Sequence, residues 1–446
     1  MLDARSREEA FLARQRSDPD SSYYTGDRPV LPARRRALAG MAALAAVPAA
    51  AQTASKAPPG SVLREVPADP SKVPGAPLED VSYGLRSQFE DAVRTRYKTA
   101  TPDSSWTFTP LQDGVGIITP SGLHFERSHA GTATIDPAKH SLTIHGLTRE
   151  ARRYSMDDIR RMPAMSRIMF IECSGNGLTE WSKPTLKTVQ GTHGLTSTSE
   201  WTGVPLRTLF ERLGVRGNAK WVLAEGADGA AMTRSIPYEK AMRDCFVAYG
   251  QNGEAIRPEQ GYPLRLIVPG YEGNMHIKWL RRLEIADMPF MTREETSKYT
   301  DIRPDGKAVQ FSFEMEAKSV ITQPSGEMML RTPGFHEIRG LAWSGRGTIR
   351  RVDVSTDGGR TWRQATLDAP VLPVCHTRFR LPWQWYGKEA TLQSRAVDDT
   401  GYVQPTLGQL VAVRGLNGPI GSIYHLNAIQ SWRVARDGKV TNVHHY

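Results

Sequence analysis

Residues 349–367, IRRVDVSTDGGRTWRQATL, alternate apolar and polar side chains, break at Asp357, Gly358 and Gly359, and resume with Trp362. Period-two alternation puts every second side chain on one face, so this stretch specifies a half-buried hairpin rather than a helix. TLQSRAVDDTGYVQP, from Thr391, repeats the device with a turn near Asp399. No helix is predicted after about residue 310. Several short strands at this spacing predict an immunoglobulin-like β-sandwich over residues 306–446.

The preceding block, residues 106–305, mixes two textures. Residues 168–171 and 264–268 are short apolar runs that predict buried strands. PLRTLFERLG, residues 205–214, predicts a helix with Pro at its start and Gly at its end. The fold class is therefore α+β, a mixed α/β domain followed by a β-sandwich. A length of 446 residues suits two cores with additional leader or linker sequence.

The N-terminal region is of another kind. Arg34, Arg35 and Arg36 precede an Ala/Leu-rich stretch and then small residues, the order of an export signal, and we assign residues 1–51 to a twin-arginine-type leader. Its apolar stretch, residues 37–51, falls short of the roughly 20 residues needed to span a bilayer, so no membrane span is expected in the mature protein. The expected location is the periplasm. Residues 52–105 are Pro-rich and read as an extended segment, with a short helix predicted over residues 81–97.

The whole chain carries a net charge of +10, and residues 1–51 hold 8 Lys/Arg and 6 Asp/Glu, so the remainder keeps +8. That excess suits an acidic partner. Export and the lack of basic runs with interleaved aromatics argue against nucleic acid. The three cysteines, Cys173, Cys245 and Cys375, form no C-x-x-C-H, so covalent haem on this chain is excluded, and no C-x-x-C indicates zinc or an iron–sulfur cluster. A bridge between Cys245 and Cys375 stays open.

Cys173 ends an apolar run and enters Ser174-Gly175-Asn176-Gly177, where glycines let a large group approach the backbone. A thiolate there is a soft ligand for a transition metal; the alternative is a buried free thiol. Cations recur elsewhere: Arg127 and His129 in LHFERSHAG, Arg265 in GYPLRLIVPG, and His276 with Lys278 in GNMHIKWL, a pair that alternation on a strand would place on one face. Such fixed cations suit an anionic cofactor or an oxyanion. A zinc hydrolase built from His129, His193 and His276 is the weaker alternative, since no close-spaced ligand pair supports it.

IECSGNG, FERSH, EWTGVPL, GYPLRLIVPGYEGNMHIKWLRRLEI and the downstream Tyr299 resemble the motifs of the sulfite oxidase family of molybdenum enzymes, from about Trp106 to the end of the chain. GIITPSGLHFERSHAG, TRFRLPWQW, LQSRAVDDTGYVQP and QSWRV are similar, more narrowly, to the molybdenum subunits of sulfane dehydrogenases in the Sox thiosulfate-oxidising system.

The resemblance implies a molybdopterin-binding catalytic domain over residues 106–305 and an immunoglobulin-like dimerisation domain over 306–446. It implies that Cys173 ligates molybdenum carried by a pyranopterin, that Arg127 lines the substrate site, and that His129 contacts the cofactor. Arg265, His276 and Lys278 would hold the pterin and its phosphate. Tyr299 would be the active-site phenol and Arg414 a late arginine anchoring the oxyanion.

The implied reaction is oxidation of sulfane sulfur, held on a cysteine of a sulfur-carrier protein, to the sulfonate level with oxygen from water. Electrons would pass to a separate, dihaem c-type cytochrome subunit, in a heterotetramer containing a homodimer of this chain. The alternative is a periplasmic sulfite dehydrogenase acting on free sulfite. Two departures weigh against sulfite: Gly177 and Leu178 stand where the animal enzymes keep an arginine pair, and Ser128 replaces an Asn. The first suggests a site opened toward sulfur on a protein arm.

Overall fold

The computed structural model describes residues 86–444 apart from 88, 98, 100, 182–184 and 416–424. The leader and most of the Pro-rich segment lie outside the described residues. Those from Val93 onward form one compact unit, and those before it belong to a second.

Strands β1 (Thr95–Tyr97), β2 (Ser105–Phe108) and β3 (Glu126–Ser128) make a small antiparallel sheet. No helix occurs among the described residues of 81–97, contrary to the sequence reading. Instead Thr95 pairs with Phe108, and the Tyr97 ring meets Phe108 edge-on at 4.8 Å. Cross-strand pairing and ring packing override a weak local helical period.

The chain continues through β4 (Ser141–Gly146), β5 (Arg152–Ser155), β6 (Met165–Glu172), β7 (Thr196–Pro205), β8 (Trp221–Gly226) and β9 (Thr233–Pro237). Then come β10 (Phe246–Gln251), β11 (Glu254–Ala255), β12 (Arg265–Ile267) and β13 (Leu280–Ala286). One sheet runs β5-β4-β13-β8-β9, with β4 and β13 parallel; the other runs β11-β10-β7-β6, with β12 also on β10. The expected helix is Leu206–Leu213, entered from Pro205 and ended by Gly214 at φ 60, a left-handed cap that glycine adopts without strain. Its Leu209 and Phe210 pack with Ile144, Val222 and Leu283 in one apolar core.

After a two-stranded pair, β14 (Asp301–Ile302) with β15 (Ala308–Val309), the sandwich begins. Its strands are β16 (Lys318–Gln323), β17 (Gly334–Trp343), β18 (Ile349–Ser355), β19 (Arg363–Gln364), β20 (Thr366–Leu367), β21 (Thr377–Trp385), β22 (Ala390–Asp398), β23 (Ser431–Val434) and β24 (Val440–Val443). The two sheets are β16-β17-β21-β20 and β19-β18-β22-β23-β24. The predicted hairpin pairs Val354 with Arg363, and Asp357 closes its turn by accepting from the Thr361 amide at 2.9 Å.

One helix in this half, Leu407–Arg414, was not foreseen. Thr406 caps it and Gln409 returns a bond to the Thr406 amide, a reciprocal box that the Thr-x-x-Gln spacing encodes. All three cysteines are free, so Cys245 and Cys375 are not bridged.

A second core joins the halves. Phe108, Phe170 and Trp201 share it with Val320, Trp343 and Trp432. At its edge β6 ends in Glu172, a fully buried carboxylate. Lys318 Nζ of β16 reaches Glu172 Oε1 at 3.0 Å, Asn176 Nδ2 donates to the same oxygen at 2.8 Å, and Trp343 Nε1 donates to Oε2 at 2.6 Å. Lys318 also donates to the Asn176 carbonyl at 2.9 Å. The sandwich thereby holds the loop that follows Cys173.

The C-terminal strand holds the next stretch. Asn442 Nδ2 donates to Glu180 Oε2 at 3.0 Å and to the Leu186 carbonyl at 2.8 Å. Burial lifts the Glu180 carboxyl to about 7, against the hydrogen bonds from Asn442 and Thr179.

Two measurements test these ties. Lys318→Met leaves Glu172 buried and unpaired and should lower unfolding free energy by about 3–5 kcal/mol in urea denaturation. Because Glu180 is easier to protonate folded than unfolded, its contribution is full below about pH 4 and is lost as pH rises through about 7. Glu180→Gln should therefore flatten the fall in the urea midpoint between pH 5 and 8.

Candidate active site

β3, the cysteine loop, the turns on either side of β12 and the single π-helical turn Glu294–Lys298 surround a cleft. Its walls include Arg127, His129, Cys173, Arg265, His276, Lys278 and Tyr299, residues spread over more than 170 positions of sequence. Arg414 is not among them. At the end of its helix, its Nη2 donates to Glu316 Oε1 at 2.7 Å and its Nη1 to the His425 carbonyl at 2.7 Å, in a separate cleft of the sandwich. This ion pair corrects the expected role.

Cys173 is half-buried, its backbone fixed by its amide donating to Leu195 O at 2.9 Å and its carbonyl accepting from Asn176 N at 2.9 Å. Gly273 crosses so closely behind it that a Cβ there would lie 2.8 Å from the Glu172 carbonyl and 3.1 Å from Cys173 Cα. Burial raises the thiol, while the Gly175 amide and the Arg127 charge favour the thiolate.

Beside the thiol runs a polar line. Arg127 Nη2 lies 3.0 Å from His129 Nδ1, and His129 Nε2 lies 3.5 Å from the Tyr299 hydroxyl. Guanidinium only donates, so Nδ1 is the acceptor and the proton of the neutral ring sits on Nε2, facing Tyr299. Burial first, and then the charges of Arg127, Lys278, Lys298 and Arg293, hold His129 far below its ordinary value. The Arg127 guanidinium also lies 4.9 Å from the Trp106 ring and donates to Ser104 Oγ at 3.1 Å.

The remaining cations act on the walls. Lys278 Nζ donates to Arg127 O, Ser128 Oγ and Glu259 O at 3.0, 2.7 and 3.1 Å, so Ser128 anchors the lysine to β3. Arg265 Nη1 holds Gln260 through Oε1 at 2.9 Å and O at 3.1 Å. Burial brings Lys278 down to about 8 and Arg265 to about 9. An anion in the cleft would offset that penalty.

His276 and Lys278 do not alternate on a strand. They follow the short turn Gly273–Met275, and both ring nitrogens of His276 meet backbone, Val268 N at 3.3 Å and Tyr271 O at 3.2 Å.

Gly177 and Leu178 do not line this cleft either. They border a smaller cavity with Trp106 and Phe108, and a Cβ on Gly177, at φ 90, would meet Leu426 Cδ2 at 3.2 Å and Lys318 Nζ at 3.4 Å. The glycine serves the loop's backbone and the buried ion pair, and the expected opening of this cleft by that pair is withdrawn. Asn274 and Gln260 went unnoticed in the sequence because a lone amide carries no spacing signal.

Among the described residues no group of three or more His, Cys, Asp or Glu side chains could hold a metal ion, which removes the zinc reading. A metal at Cys173 therefore needs most of its ligands from a cofactor. The site fits an anionic molybdopterin: one soft thiol, three walls bearing cations, a glycine-lined approach, and the buried Asn274 Oδ1, an acceptor that has no hydrogen-bond partner in the protein.

Comparison with known proteins agrees. Residues 129–294 match the family described as oxidoreductase molybdopterin binding domain, and residues 309–431 match the Mo-co oxidoreductase dimerisation domain. Mitochondrial sulfite oxidase of Mus musculus is 31% identical over 71% of this chain and 62% of its own length. NADH nitrate reductase of Solanum lycopersicum is 32% identical over 60% of this chain and 33% of its own. The chain thus spans less than two thirds of these relatives. The crystal structure of sulfane dehydrogenase SoxCD from Paracoccus pantotrophus superposes with a TM-score of 0.81 at 46% identity, covering 84% of this chain and 97% of that one.

Thiol chemistry tests the geometry. In cofactor-free protein, iodoacetamide should modify Cys173 first, at a rate that climbs with pH. Cys245 and Cys375, buried and with thiols raised by that burial, Cys375 to about 12, should react only on unfolding, as peptide mass spectrometry will read.

Proposed function

The chain belongs to the sulfite oxidase family of molybdenum enzymes, and on that premise we propose that it is a periplasmic sulfane dehydrogenase subunit. It oxidises sulfane sulfur held on a carrier protein's cysteine to the sulfonate level, with oxygen from water. Electrons leave to a dihaem c-type cytochrome subunit, since no haem attachment motif occurs in this sequence. Residues 106–305 are the catalytic domain, and residues 306–446 pair two copies of the chain within a heterotetramer. The observation that carries the reading is one thiol set beside the line Arg127–His129–Tyr299 in a cleft walled by cations. The likeness to a sulfane dehydrogenase at 46% identity supports the substrate class.

Cys173 would supply the metal's thiolate ligand; Arg265, Lys278 and the His276 wall would hold the pterin, with Asn274 Oδ1 an acceptor available to it. The bound cofactor supplies oxygen-atom transfer and the sink for the electron pairs removed from sulfur. Arg127 stabilises the negative charge that accumulates on the oxidised sulfur group. His129, neutral with its proton on Nε2, fixes the Tyr299 oxygen as an acceptor. Tyr299 holds a proton at the place where oxygen arrives and product departs.

Protein matured in a molybdopterin-competent host should contain molybdenum and should reduce cytochrome with a persulfidated carrier protein but not with sulfite. Efficient turnover of sulfite alone would assign the sulfite dehydrogenase reading. Cys173→Ser should fold normally and lose activity by more than the roughly 10–100-fold that removing a ligand's hydrogen-bond partner costs.

A further inference from the structure

Arg234, on β9, is fully buried and belongs to no wall of the cleft. Its guanidinium lies 5.2 Å from the centre of the Tyr299 ring. Two buried carboxylates stand nearby, but neither grips it: Nη2 is 3.9 Å from Glu272 Oε1 and Nε is 3.9 Å from Glu295 Oε1. Both distances exceed hydrogen-bonding range.

Glu295 has other partners. It accepts from the Ser235 amide, from Ser235 Oγ at 3.0 Å and from Thr292 N at 3.3 Å. Arg234 itself donates from Nε to the Met275 thioether at 3.0 Å and from Nη1 to the Glu294 carbonyl at 3.5 Å, and Nη2 and Glu272 Oε1 remain without hydrogen bonds. A buried cation is costly, and one kept only to neutralise carboxylates would close on them. This one instead lies against an aromatic ring, where a planar cation is attracted to the π face.

Its second side leads to the thiol. Asn274 Nδ2 joins Glu272 Oε2 at 2.8 Å to Ser174 Oγ at 3.2 Å, and Ser174 follows Cys173. One cation therefore sits between the phenol and the cysteine loop.

We propose that Arg234 is the positioning residue for Tyr299: its guanidinium plane holds the phenol in line with His129. The inference rests on Tyr299 acting in the reaction proposed above. Arg234 touches no substrate or cofactor, and it acts only through the ring. Lys cannot replace it, because an ammonium on a shorter stem presents no plane to stack.

The test uses protein labelled with 3-fluorotyrosine, the Tyr299 resonance being assigned by its loss in Tyr299→Phe. In cofactor-free Arg234→Lys the fluorine resonance should shift or broaden. In the loaded enzyme kcat should fall by about tenfold to a hundredfold, as misplacement of a reacting group by about an ångström does, while KM stays within about twofold.

If Arg234→Lys does not fold, the charge-balanced double variant Arg234→Met, Glu272→Gln carries the same readings. A Tyr299 resonance left at its wild-type position and width in a folded variant overturns the proposal, as does an unchanged kcat. A loaded wild-type enzyme inactive on every sulfur substrate would instead refute the proposed reaction, and the fluorine spectrum would still decide the place of Arg234.

Discussion

The arrangement depends on one buried ion pair. Glu172 closes β6 immediately before Cys173, and Lys318 opens β16 of the sandwich; the 3.0 Å contact between them fastens the cysteine loop to a sheet formed more than 140 residues later. An unpaired charge at either end is expensive in an apolar core, so the pair requires both halves to be folded and docked. Asn176 and Trp343 complete the shell around the carboxylate, and Gly177 gives the loop the backbone angle that keeps it against Lys318. The thiol therefore takes its position from the sandwich as much as from its own strand.

The electrostatics of the cleft follow a single logic. Arg127, Lys278 and Arg265 are withdrawn from water onto its walls, and burial weakens the charged state of the last two. Of the carboxylates on the same walls, Glu126 lies 4.0 Å from Lys278 Nζ and accepts from Ser105 Oγ at 2.7 Å, and Asp228 accepts from the Met232 amide at 3.3 Å. Burial, with the same positive surroundings, keeps His129 neutral, and the Arg127 contact fixes its tautomer and hence the direction of the hydrogen bond to Tyr299. Three cations against two carboxylates on these walls make the site complementary to an anionic ligand.

Local pattern made parts of this legible. The helix Leu206–Leu213 carried both its start and stop signals, and the hairpin at Asp357 its alternation and its turn. Motif resemblance singled out Arg127, His129, Cys173, Arg265, His276, Lys278 and Tyr299, which the fold gathers around one cleft. The failures have physical causes. The helix expected near Tyr97 gave way to strand pairing with Phe108. Leu407–Arg414 hid its signal in a capping box rather than in an apolar stripe. Arg414 was drawn away by Glu316, a partner that no spacing reveals.

The sequence by itself determined the order of α+β segment and sandwich, the thiol at a strand end, and the identities of the groups that surround it. Periodicity and motif are local properties, and each is written within a few residues. Only the tertiary structure decided that Gly177 and Leu178 face another cavity, that His276 spends both nitrogens on backbone, and that Arg234 lies on the Tyr299 ring. Those outcomes depend on which distant side chain satisfies a buried charge or an unpaired polar atom first, a competition settled when the sheets pack.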